Sequence, residues 1–82
     1  MSTAEMILEL VARVAELEEV RQDPELRLYD LHILDSLKTV ELIISFSEAF
    51  GLDISPADLE RGQWATPRLI VADLERRLAT VG

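Results

Sequence analysis

Ser36 is the residue of this chain with the widest scope for chemistry. It follows Asp35 inside the stretch "LHILDSLKTVEL", residues 31–42, a small polar pair between apolar neighbours. A serine hydroxyl in such a place can act as a nucleophile, cap a helix or carry a phosphate ester. Nucleophilic catalysis needs a base within reach, and the sole histidine, His32, lies four residues upstream in a loop. Nothing nearby offers an oxyanion hole, so a hydrolase is not expected. Asp30 and Glu41 stand at the ends of a twelve-residue window of the kind that binds calcium. However, His32, Leu34 and Lys38 occupy its ligand positions, and Asp35 stands where a glycine must turn the chain. Capping remains, since Asp and Ser are both preferred at a helix N-cap. So does a phosphate ester, because the free N–H groups and dipole of a helix start favour an anion there. The residues alone leave both readings standing.

The elements that must position this pair belong to a chain of 82 residues, enough for one domain spanning 1–82. There is no cysteine, hence no disulfide framework or thiolate metal site, and a single histidine makes a zinc centre implausible. Sixteen acidic residues against eight basic give a net charge of −8. That balance repels phosphate backbones and argues against nucleic acid as a partner. It suits encounters with basic protein surfaces, or simply keeps a small domain soluble. No apolar run approaches the roughly 20 residues of a membrane span. The start, "MSTAEMILEL", lacks a basic region and carries Glu5 and Glu9, so a secretory signal is not expected. A soluble, cytoplasmic monomer without membrane insertion is the expectation.

Composition favours helices. Ser2 and Glu5 form a capping-box pattern, and Ile7, Leu10, Val11, Val14 and Leu17 recur at helical spacing, predicting a first helix over Thr3–Val20. Asp23-Pro24 ends any continuation. A long connection follows from Arg21 to Asp35, too apolar for a free linker. Leu26, Leu28, Tyr29, Leu31, Ile33 and Leu34 are expected to pin it to the helices. The second helix is predicted over Ser36–Phe50, with Gly51 as its stop and Leu37, Val40, Ile43, Ile44, Phe46 and Phe50 on one broad apolar side. Ser55-Pro56-Ala57-Asp58 predicts a short third helix ended by Gly62. Thr66-Pro67 opens a fourth, "PRLIVADLERRLATV". Trp64 reads as a hydrophobic plug between the last two. The predicted fold is a small all-α four-helix bundle with a long first loop and a short third helix.

On these residues the chain resembles the acyl and peptidyl carrier proteins, where Asp-Ser-Leu precedes a helix carrying Val-Glu-Leu. The resemblance covers nearly the whole chain, including "FGLDI" before the third helix. It implies that the protein is not itself an enzyme. Ser36 would be the covalent attachment point of 4′-phosphopantetheine, transferred from coenzyme A by a phosphopantetheinyl transferase. The arm's thiol would hold an acyl or aminoacyl group as a thioester, which is how a cysteine-free chain could do thiol chemistry. Asp35 would support the modification or simply start the helix. Leu37, Val40, Glu41, Ile44 and Glu48 match the region by which such carriers dock on enzymes with basic surfaces. For Val40 and Ile44 core packing is the competing expectation, and for Glu41 and Glu48 plain solvation.

Within these carriers the chain leans towards the discrete D-alanyl carrier family, through Trp64-Ala65-Thr66-Pro67 and through "LDSLKTVELI". It departs from that family at Leu37, where phenylalanine is usual, and at Lys38, where glycine is usual. His32-Ile33-Leu34 lacks the glycine that carriers usually have before Asp-Ser. Leu37 is the residue found in fatty-acid and polyketide carriers, so their cargo is the alternative. The implied partners are the transferase, an adenylating acyl or aminoacyl ligase, and a downstream acyltransferase or synthase. A second alternative is an unmodified helical adaptor that binds through its acidic face.

Overall fold

A computed structural model describes the chain from Ser2 to Thr80, with the backbone alone for Asp58 and Arg61. The first helix, α1 (Thr3–Ala15), begins as the sequence predicts. Ser2 Oγ accepts the Glu5 amide N–H at 3.2 Å, and the Ser2 hydroxyl donates to Glu5 Oε1 at 3.1 Å. Ile7, Val11, Ala12 and Ala15 form its buried stripe. It stops well short of Val20. Glu16 takes a left-handed conformation (φ 57°), and its N–H reaches back to the Ala12 and Arg13 carbonyls. A 3₁₀ turn over Glu18–Arg21 then carries Val20 into the core, where a continued helix would have run past it.

The first half of the following connection is fastened to the segment around residues 65–68. Leu28 N–H donates to the Ala65 carbonyl at 2.9 Å and Arg68 N–H to the Pro24 carbonyl at 3.0 Å. Arg68 also grips the Glu25 carboxylate with two hydrogen bonds, of 2.5 and 3.2 Å. That bonding holds the Glu25 carboxyl below its ordinary range. Leu26, Leu28 and Leu34 are buried and Tyr29 and Ile33 pack partly against the core, as expected of anchors. Leu31 is not an anchor: it is 52% exposed, beside His32, which holds a left-handed turn (φ 58°).

Helix α2 (Ser36–Phe50) ends at Gly51, whose φ of 69° suits a residue without a Cβ. Its core side consists of Leu42, Ile43 and Phe46, with Phe50 partly covered. Leu37, Val40 and Ile44, expected on that side, are instead 70%, 40% and 52% exposed. The apolar residues of α2 occupy two arcs rather than one, and only the arc around Phe46 is buried in the core.

The expected third helix is replaced by two 3₁₀ turns, Pro56–Asp58 and Arg61–Trp64, separated by extended Leu59. Ser55 makes no side-chain cap, and Gly62 lies inside the second turn rather than ending a helix. Leu52, Ile54 and Trp64 are all buried, so this short segment must span between core anchors and cannot spend its length on α-helical turns. Helix α3 (Pro67–Thr80) opens with Thr66 Oγ1 accepting the Leu69 N–H at 3.3 Å and with Pro67 in its first turn. Val81, assigned to this helix from sequence, lies outside the described residues. The described residues thus form three α-helices joined by 3₁₀ turns, without a strand. Helix α1 packs against both α2 and α3. Phe46 meets Trp64 edge to face at 5.6 Å, a favourable aromatic geometry at the centre of the core. Among the described residues no helix is long and apolar enough to cross a membrane.

Candidate functional site

The two members of the polar pair have separate jobs. Asp35 is the N-cap of α2, its backbone extended and its Oδ1 accepting the Lys38 N–H at 2.9 Å. Ser36 is therefore released from capping. It is exposed, and among the described residues nothing bonds its hydroxyl. The backbone N–H groups of Ser36 and Leu37 also lack a partner there, as the first turn of any helix requires unless something external supplies one. An exposed hydroxyl beside two unpaired N–H groups, at the positive end of a 15-residue helix, suits a phosphate ester.

Three further contacts fix this helix start. The Thr39 hydroxyl donates to the Asp35 carbonyl at 2.7 Å, which commits its only hydrogen. The 2.6 Å contact between Tyr29 and Thr39 must then run from the Tyr29 hydroxyl to Thr39 Oγ1. This relay ties the long loop to the first turn of α2. On the other side Lys38 Nζ donates to the Val14 carbonyl at 3.3 Å, with Glu16 Oε2 at 3.8 Å. It places a cation at the C-terminal end of α1, where the dipole favours one.

A cleft of about 300 Å³ opens beside Ser36, lined by Tyr29, Thr39 and Val40 on one side and by Pro56, Leu59 and Glu60 on the other. Trp64 also lines it yet is only 1% exposed, so the indole forms its floor. The residues matched to a docking region also come together. At about 100° per residue, Leu37, Val40, Glu41, Ile44 and Glu48 fall in one sector of α2 about 100° wide. All five are exposed, and the sector joins three apolar side chains to two carboxylates. His32 is exposed on the loop. No group of three or more His, Cys, Asp or Glu side chains among the described residues is arranged to hold a metal ion.

Sequence reasoning missed the group behind the cleft floor. Asp73 is buried, 4% exposed, and its Oδ2 accepts both the Trp64 Nε1–H and the Arg77 Nε–H at 2.9 Å. Arg76 bonds the other oxygen. Burial alone would raise the carboxyl's pKa; the hydrogen bonds from Arg77 and Trp64 and the charges of Arg77 and Arg76 outweigh it and lower it. Arginines three and four residues after an aspartate look like an ordinary solvated helix face. The one available signal was that Asp73 lies three residues from Ile70 and beside Leu74, on the buried stripe.

A family model described as a phosphopantetheine attachment site matches residues 5–74. The D-alanyl carrier protein of Listeria welshimeri is 36% identical over 75 residues, covering 92% of this chain and 96% of that protein. Those of Listeria monocytogenes serotype 4a and Staphylococcus saprophyticus are each 35% identical, with the same coverage. By this match and this coverage, the chain belongs to the phosphopantetheine attachment-site family and is a carrier rather than an enzyme.

Proposed function

We propose that Ser36 carries 4′-phosphopantetheine and that the chain shuttles a small aminoacyl group, D-alanyl by the names of its relatives, between partner enzymes. The observation that carries this reading is the division of labour at the start of α2. Asp35 does the capping, and Ser36 is left exposed and unbonded beside two unpaired N–H groups. These residues fit the group: a phosphodiester on Ser36 Oγ would meet the amides of Ser36 and Leu37 and the positive end of the helix. The transferase step forms a bond from Ser36 Oγ to the phosphorus of coenzyme A that bears the pantetheine. It breaks the pyrophosphate linkage, releases adenosine 3′,5′-bisphosphate and passes the serine proton to a base on the transferase. Once attached, the group supplies a terminal thiol that holds the cargo as a thioester.

A short cargo agrees with the interior. Trp64 closes the floor of the cleft and meets Phe46 edge to face, so the cleft ends on a filled core. Leu37, Val40 and Ile44, exposed beside Glu41 and Glu48, form the docking face for the transferase, an adenylating ligase and a downstream acyltransferase. The chain acts as one carrier domain of acyl-carrier type, a cytoplasmic monomer that meets these partners in turn.

Mass spectrometry after incubation with coenzyme A and a broad-specificity transferase tests the attachment. The wild-type chain gains one phosphopantetheine and Ser36→Ala gains none. A wild-type chain left unmodified, under conditions that load a control carrier, overturns the reading and returns the protein to a helical adaptor.

A further inference from the structure

We propose that the cleft beside Ser36 receives the inner part of the pantetheine arm, and that Asp73 is a positioning residue for it, acting through Trp64. The inference rests on attachment at Ser36. Ser36 itself lines the cleft, so an arm growing from its hydroxyl starts at the mouth. The chemistry of the walls matches that of the arm. Val40, Pro56 and Leu59, above the floor formed by Trp64, offer apolar surface to the geminal methyl groups next to the phosphate. The Tyr29–Thr39 hydroxyl pair makes part of the same wall polar, as the amides further along the arm are. The floor is not merely packed in place. Trp64 is held by three elements at once: its own 3₁₀ turn, the ring of Phe46 on α2, and the carboxylate of Asp73 on α3. Two arginines in turn hold Asp73. An indole can pivot about its side-chain bonds, and a buried hydrogen bond to a charged acceptor sets which face it turns to the cleft. Asp73 touches neither Ser36 nor the cleft. Its influence on the arm passes through the indole.

The chain holds a single tryptophan, which makes the test direct. The full chain is isotope-labelled and converted to the armed form, with the added mass checked. Proton NMR then looks for nuclear Overhauser contacts between the geminal methyls and the rings of Trp64 and Tyr29. The expected result is such contacts, together with a shifted Trp64 indole N–H resonance. Leu8 and Val71, which line a separate groove between α1 and α3, stay unshifted. A chain that carries the arm by mass, yet shows changes confined to Asp35–Leu37, overturns the inference and leaves attachment standing. A chain that gains no mass overturns both. For the positioning role, Asp73→Leu loses the contacts to the indole while the arm is still attached. Asp73→Asn, which keeps an acceptor oxygen for Nε1–H, retains them. Wild-type contacts in the Leu variant, or equal loss in both, refute the role of Asp73. Should Asp73→Leu fail to fold, Trp64→Phe keeps a ring without the N–H. It gives the same reading: weakened arm contacts at position 64 support the role, and undiminished ones refute it.

Discussion

Replacing Asp73 with leucine should be the most damaging single polar change in this molecule. Leucine keeps the branched skeleton of the side chain and fills its space with apolar groups, so no cavity is left and the loss is chiefly electrostatic. It strands the buried Trp64 N–H, which costs about 1–3 kcal/mol for an unsatisfied donor. It also frees Arg77, whose side chain is one-quarter exposed and regains only part of its hydration. Arg76 is two-thirds exposed and contributes little. The sum is about 3 kcal/mol, the lower end of what breaking a buried charge pair costs. A domain of this length has roughly 4–12 kcal/mol in all, so the midpoint of thermal unfolding should fall by roughly 12–24 °C. Asp73→Asn keeps the acceptor for Trp64 and should cost about half as much. The sign of the pH effect follows from the lowered carboxyl. Its folded pKa lies below the unfolded value of about 3.9, so its contribution is present at neutral pH and is lost as pH falls below about 4. Asp73→Asn should lack that part of the acid sensitivity. Urea unfolding followed by circular dichroism and tryptophan fluorescence measures both. An Asp73→Leu protein within 1 kcal/mol of wild type, with an unchanged denaturant slope, would refute the assignment of stability to this cluster.

Other changes probe the start of α2 and the face beside it. Asp35→Ala should cost about 1 kcal/mol in urea unfolding, and Ser36→Ala should be close to neutral, because only Asp35 caps the helix. Equal losses would contradict that division. His32→Gly and Glu16→Gly should each stabilise by about 0.5–1 kcal/mol, since both positions are left-handed and neither residue gains much from its side chain. A lower unfolding midpoint in either would count against it. Reversing Glu41 and Glu48 to lysine should leave stability within about 0.5 kcal/mol and slow transfer of the arm, with the wild-type rate falling as salt rises. Salt-independent rates with unchanged mutant kinetics would remove those carboxylates from docking.

What could be read from the sequence was whatever is written locally. Ser2 with Glu5, Asp35 before an apolar run, Gly51 after one and Thr66-Pro67 all placed helix ends correctly, because each end is made by a residue type suited to that backbone. The end of α1 was illegible because a glutamate holds the left-handed position where glycine is the usual signal. The segment after Ser55 carried a helix-start pattern that its short span between buried Leu52, Ile54 and Trp64 overrides. The exposure of Val40 and Ile44 could not be read, because hydrophobic periodicity does not distinguish an apolar arc that packs from one left for a partner. Asp73 depends on Trp64, nine residues upstream across a turn, and no local pattern predicts that pairing.

The bridge from Lys38 to the Val14 carbonyl has a consequence for how this protein meets others. Lys38 is the only basic residue on α2, and it is spent on the end of α1, beside Glu16. The sector holding Glu41 and Glu48 is left with one sign of charge. If that sector is the docking face proposed above, the field of a basic partner would turn α2, and with it Ser36, towards the partner before contact.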